Sequence, residues 1–103
     1  MWRGTCMLSQ HPLLAKCNGG LDKLTLAEAV RLAIIGELDA INLYLQIARC
    51  VRDEKARKLF EEIAREEKTH VGELLELLRR LDPEQVRELE EGAKEAEELL
   101  GEG

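Results

Sequence analysis

The sequence predicts an all-α fold: an antiparallel two-helix hairpin followed by a shorter C-terminal helix. Three observations carry this. The chain is 45% apolar and 35% charged but only 3% aromatic, and its wealth of Ala, Leu, Glu, Lys and Arg favours helices over sheets. Two segments repeat apolar residues at spacings of four and three, which holds side chains on one seam of a left-handed bundle. Helix-start signals at Thr25, Asp53 and Asp82 divide the chain into three helical stretches.

In chain order, residues 1–24 contain Pro12 and the pair Gly19-Gly20 with no sustained period, and read as an irregular N-terminal arm. Residues 25–103 form the helical unit. Thr25 and Glu28 make a capping box, in which the Thr hydroxyl and the Glu carboxylate each take one otherwise free backbone N–H. A helix is expected from about Leu26 to about Arg52. Asp53 is the N-cap of a second, from about Glu54 to Leu81. Asp82, Pro83 and Gln85 restart the pattern, since aspartate caps and proline suits the first helical position. The third helix, about Pro83 to Leu100, puts Val86, Leu89, Ala93, Ala96 and Leu100 on one face, and Gly101 stops it. The short connection after the first helix requires an antiparallel hairpin. One domain is the default for 103 residues; a chain this short buries a modest core, which association commonly supplements.

The formal net charge of −6 argues against nucleic acid and anionic membrane as partners and suits a protein that handles cations. No segment has the length and apolarity of a signal peptide or a membrane span. Cys6, Cys17 and Cys50 form no Cys-x-x-Cys pair, which excludes a zinc ribbon or a rubredoxin-type iron site. Their odd number reads as free thiols in a reducing cytoplasm. Asn and Gln are scarce beside Glu, Lys and Arg, a bias of heat-adapted proteins.

The first helix carries the stripe Val30, Ile34, Glu37, Ile41, Tyr44, Ala48, Val51. The second carries Ala56, Phe60, Ile63, Glu67, His70, Leu74, Leu77, Leu81. Both are apolar apart from Tyr44 and three ionisable residues: Glu37, Glu67 and His70. Folding the hairpin at Asp53 puts all three at nearly one height, roughly 24 Å from the turn at about 1.5 Å rise per residue. One glutamate on an apolar face is ordinarily a helix-edge residue, and one histidine a satisfied core residue. Three such residues in one layer, in the order Glu then Glu-x-x-His, point to a bound cation, because no positive side chain of the stripes compensates them. Carboxylate with imidazole suits iron, manganese or zinc. Ferritin-like di-iron bundles use one Glu from each of two helices and a Glu-x-x-His from each of two others. This chain holds one of each, half of such a four-helix bundle. Two copies about a two-fold axis complete it by dimerisation, and their four carboxylates balance two divalent ions. Ala33, Leu38, Ala40, Leu43, Leu45 and Ile47 cannot all face one partner helix, so the first helix is expected to be buried on several sides.

At these residues the sequence resembles the encapsulated ferritins, short ferritin-like proteins housed inside encapsulin nanocompartments. The resemblance is densest in Leu32-Ala-Ile-Ile-Gly-Glu-Leu-Asp-Ala-Ile-Asn-Leu-Tyr44 and Ala64-Arg-Glu-Glu-Lys-Thr-His-Val-Gly-Glu73, with Leu81-Asp-Pro-Glu-Gln-Val86 adding to it. It implies a ferroxidase that oxidises Fe(II) with dioxygen at a di-iron site between two subunits. Two irons would be held at each dimer interface by Glu37, Glu67 and His70, and the ferric product mineralised in the surrounding encapsulin shell. It further implies a homodimer assembling into a decameric ring, in the cytoplasm of a prokaryote. Tyr44 matches a family tyrosine near the site, and Asp39 an acidic position on the iron access route. Gly36 stands where some members have a second acid. Members reach the shell by a C-terminal targeting peptide or by fusion to the shell protein, and no such peptide is evident after Leu100. Two other readings stand beside this one: a di-metal peroxidase of rubrerythrin type, and a non-enzymatic helical assembly module with a structural metal. The two histidines count against hemerythrin-like chemistry, whose ligand set they cannot supply.

Overall fold

The structure, a computed structural model, describes residues 23–101, with side chains from Leu26 onward. Residues 1–22 of the expected arm, with Cys6 and Cys17, and the side chain of Thr25 lie outside the described residues. Three helices follow in order: α1 (Lys23–Cys50), α2 (Glu54–Leu81) and α3 (Pro83–Leu100). No strand occurs among the described residues.

The first two helices have 28 residues each, about 42 Å at 1.5 Å per residue. Only Val51, Arg52 and Asp53 join them, so α2 must run back along α1. Asp53 is the N-cap: its Oδ2 accepts the Ala56 N–H at 2.9 Å. Asp82 serves two helices at once. Its backbone N–H closes α2 on the Leu78 carbonyl at 2.8 Å, and its carboxylate accepts the Gln85 N–H at 3.2 Å to open α3. Gly101 ends α3 with φ 78, a left-handed turn that glycine takes without penalty.

Two details depart from expectation. The first helix takes up Lys23, so Thr25 sits in its first turn rather than standing before it as a cap. Near its C-terminus α2 also rotates off the strict heptad. Leu78 is 4% exposed while Leu77, on the expected stripe, is 40% exposed. A straight helix drifts about 20° per heptad from a 3.5-residue seam, and after three heptads that drift exchanges neighbours.

The core is thin. Its buried members are Ala27, Val30, Ala40, Ile41, Ala48, Ala64 and Leu78, and alanines let the two helices approach closely. The largest cluster joins Ala27, Val30 and Leu78, with Leu26, Ile34, Leu74 and Leu81 packed around it, at the end of the hairpin away from the turn. Ile35 and Leu38 of α1 remain exposed in the single chain. The third helix buries none of its residues. Its direction is held at its base, where the Arg31 guanidinium pairs with Asp82 and its Nε donates to Gln85 Oε1 at 3.2 Å. The molecule is accordingly open, with a radius of gyration of 16.9 Å against about 13 Å for a compact chain of 100 residues.

Candidate metal centre

The expected layer forms. Glu37 comes from the middle of α1, and Glu67 and His70 from one face of α2. Their ligand atoms all lie within 4.8 Å of one another. His70 Nδ1 is 2.9 Å from Glu67 Oε1 and 3.6 Å from Glu37 Oε1. The Glu-x-x-His spacing does this locally, because residues three apart on a helix are neighbours on its surface. Glu37 is brought in by the hairpin itself.

The layer is half-buried rather than buried. The side chains of Glu37, Glu67 and His70 are 28%, 18% and 48% exposed. A complete four-helix bundle would close over these acids. One hairpin supplies only two of a bundle's four walls, so the ligands lie along an open lip. Even so, Glu37 Oε1 is buried and has no hydrogen-bond partner among the described residues. An orphaned carboxylate oxygen of this kind is costly unless a cation or proton reaches it. The nearby Arg65 is turned away to Glu62, and Lys68 forms no ion pair among the described residues.

The crowding shifts the titration of all three groups. The Glu37 pKa is raised, chiefly because Glu67 is close enough to share a hydrogen bond with it, and then by partial desolvation and the charge on Glu67. That same bond, with help from His70, lowers the pKa of Glu67. His70 is raised, first by its hydrogen bond to Glu67 and then by the charges of both carboxylates. The contact between the two carboxylates thus moves them in opposite directions, Glu37 up and Glu67 down, while both carboxylates draw His70 up. Two carboxylates and an imidazole converging on one point are a donor set for iron, manganese or zinc, and the orphaned Glu37 oxygen fits such an ion.

The accessory candidates fall elsewhere. Tyr44 stacks on Phe60 with ring centroids 6.1 Å apart and planes at 23°. It belongs to the hairpin packing and not to the ligand cluster. Asp39 is exposed, about 200° around α1 from Glu37. Cys50 is a free, exposed thiol at the end of α1. No helix among the described residues is long and apolar enough to cross a membrane. The tie from Arg31 to Asp82 and Gln85 was not foreseen. It joins residues about 50 apart, and nothing in their local sequence announces it.

Comparison with known proteins bears on the same residues. A family model described as Rubrerythrin matches residues 28–100. The ferritin-like-encapsulin shell fusion protein of Pyrococcus furiosus is 55% identical over 95 residues, covering 92% of this chain and 28% of that protein. The encapsulin nanocompartment cargo protein EncC of Myxococcus xanthus is 39% identical over 69 residues, or 67% of this chain and 53% of that one. The chain thus spans about a quarter to a half of the length of these relatives. Among solved structures, the encapsulated ferritin domain from Pyrococcus furiosus superposes with a TM-score of 0.81 at 54% identity, covering 88% of this chain and 93% of that one.

Proposed function

The chain belongs to the rubrerythrin family and to the encapsulated ferritins, and on that premise we propose that it is a ferroxidase whose site is completed by a second copy. The observation that carries this is the open ligand layer, in which Glu37 Oε1 lies buried without a donor beside Glu67 and His70. Ferrous ions are the substrate. Glu37 and Glu67 of each copy supply their negative charge to the pair of ions, and His70 Nδ1 supplies a neutral donor. Each ferrous ion gives up one electron to dioxygen. The chain's part is to set two ions about 3.5–4 Å apart, with any proton on these ligands leaving as the ions arrive.

Two relatives bear names that join them to an encapsulin shell, one by fusion and one as cargo. We extend that association to this chain: it works in the cytoplasm inside such a compartment, which receives the ferric product. A hairpin of this size encloses no volume in which a mineral could grow.

Ferrous oxidation in air, followed by absorbance with light scattering alongside, tests the proposal. The wild type should oxidise iron and then turn turbid as ferric product accumulates. Glu37→Ala, Glu67→Ala and His70→Ala should each remove most of the activity, because each alters both halves of a two-fold site. Helicity by circular dichroism should be unchanged, since losing a half-buried charge relieves the metal-free state. Three variants as active as the wild type would defeat the assignment. The family match favours a second reading, a peroxidase of rubrerythrin type. Turnover dependent on hydrogen peroxide and an added reductase would select it.

A further inference from the structure

The net charge of the protein is concentrated in α3. Residues 83–100 hold seven acidic and two basic residues, whereas α1 and α2 each carry equal numbers of both signs. None of the seven acids forms an ion pair among the described residues. They border an apolar seam that is half-buried at Val86 and bare beyond it: Leu89 and Leu100 are exposed, and Leu99 beside the seam is 89% exposed. In the heptad set by Val86, Leu89, Ala93, Ala96 and Leu100, the flanking positions fall on Glu90 and Glu97. Charges at such positions select a helix's partner. A helix exposing both features lacks its partner.

The opposite character lies at the other end of the molecule. Residues 49–58, at the hairpin turn, hold five basic and two acidic residues. Arg49, Arg52 and Lys55 are exposed and form no ion pair among the described residues, and the nearby Leu59 is 59% exposed. The third helix starts about 40 Å from this tip and is only about 27 Å long. It cannot reach the tip of its own chain. Packing α3 against α3 would set two acidic helices together, so an isologous α3 pair is disfavoured.

We propose that α3 is a docking arm for a second copy of this chain, with its leucine seam and Glu90 and Glu97 seated on the neighbour's basic tip at Arg49, Arg52, Lys55 and Leu59. This rests on the two-copy reading above and adds the surface that orients the copies. The ligand layer lies at mid-length of the hairpin. Two copies can therefore run in opposite directions, each α3 beside the other's tip, with their ligands still level.

The experiment is charge reversal on the zinc-loaded full chain, read by sedimentation velocity at low and at raised salt. Glu90→Lys with Glu97→Lys should weaken association at least tenfold, and so should Arg52→Glu with Lys55→Glu. All four substitutions together in one chain should restore it. Wild-type association should weaken with salt. Helicity and zinc content are read on the same samples. Unchanged association in either reversal overturns the proposal. So does disruption without restoration in the fourfold variant, or a wild type that stays monomeric, which would give the arm to a different protein. Loss of zinc with the association pattern intact would count against the metal centre and leave the docking arm standing.

Discussion

In the proposed centre Glu37 is the ligand with the most at stake. Its Oε1 lies in the half-closed layer with no donor of its own, and Glu67 beside it raises its pKa. Protons and a divalent ion therefore compete for the same donors. His70 is raised above its ordinary value of 6.5 by the two carboxylates. Protonation removes a metal donor, so affinity should fall as pH drops through that raised value, starting above 6.5 and not below it. Zinc titration at several pH values between about 6 and 8, with proton release followed in weak buffer, checks this. Affinity flat across that range would contradict this competition. Tyr44 makes a contrasting case. It lies roughly 10 Å along α1 from Glu37 and stacks on Phe60. Tyr44→Phe keeps the ring, so metal stoichiometry should be unchanged and oxidation at most slowed. Lost metal binding in that variant would make the hydroxyl part of the site.

At the scale of the elements, each boundary has a local chemical cause where the sequence showed one. Asp53 and Asp82 cap α2 and α3 as their side chains and spacing indicate, since a cap is a contact between residues three apart. The ligand layer was legible for a related reason. Glu67 and His70 are neighbours by helical spacing, and Glu37 is placed by counting equal heights from a short turn. The start of α1 was less legible. Lys23 and Leu24 are ordinary helix formers, and nothing at Thr25 forces the helix to wait. The burial of Leu78 in place of Leu77 was hidden because a strict heptad and a straight helix diverge only over several turns. The direction of α3 could not be read at all. It depends on Arg31 meeting Asp82 and Gln85 across 51 and 54 residues. Arg31→Ala should leave helicity and zinc binding intact and release the angle of α3, because the tie is partly exposed and worth only about 0.2–1 kcal/mol. Distances between spin labels on α2 and α3 should broaden in the variant, and an unchanged distribution would show that apolar packing at Leu81 suffices.

As a whole molecule, the chain is an unfinished object. Its hairpin has a core of small residues, its ligand layer is open on one side, its third helix is bare, and its charge is divided between two ends. On the proposed two-copy reading each of these conditions would be met by another copy, with the metal linking the two. An ion held by ligands from two chains binds the pair better than the single chain, and so stabilises the pair by mass action. On that reading the paired protein without a shell should oxidise iron yet fail to keep the product in solution, since a pair of hairpins encloses no mineral cavity. The central claim is that one chain carries half a site. Native mass spectrometry of an anaerobic ferrous titration tests it most directly. The account predicts that iron appears in steps of two per pair of chains, on even-numbered assemblies, and that Glu37→Ala abolishes those steps. Iron bound one per single chain, or assemblies that form and persist at full size without ever taking up iron, would contradict it.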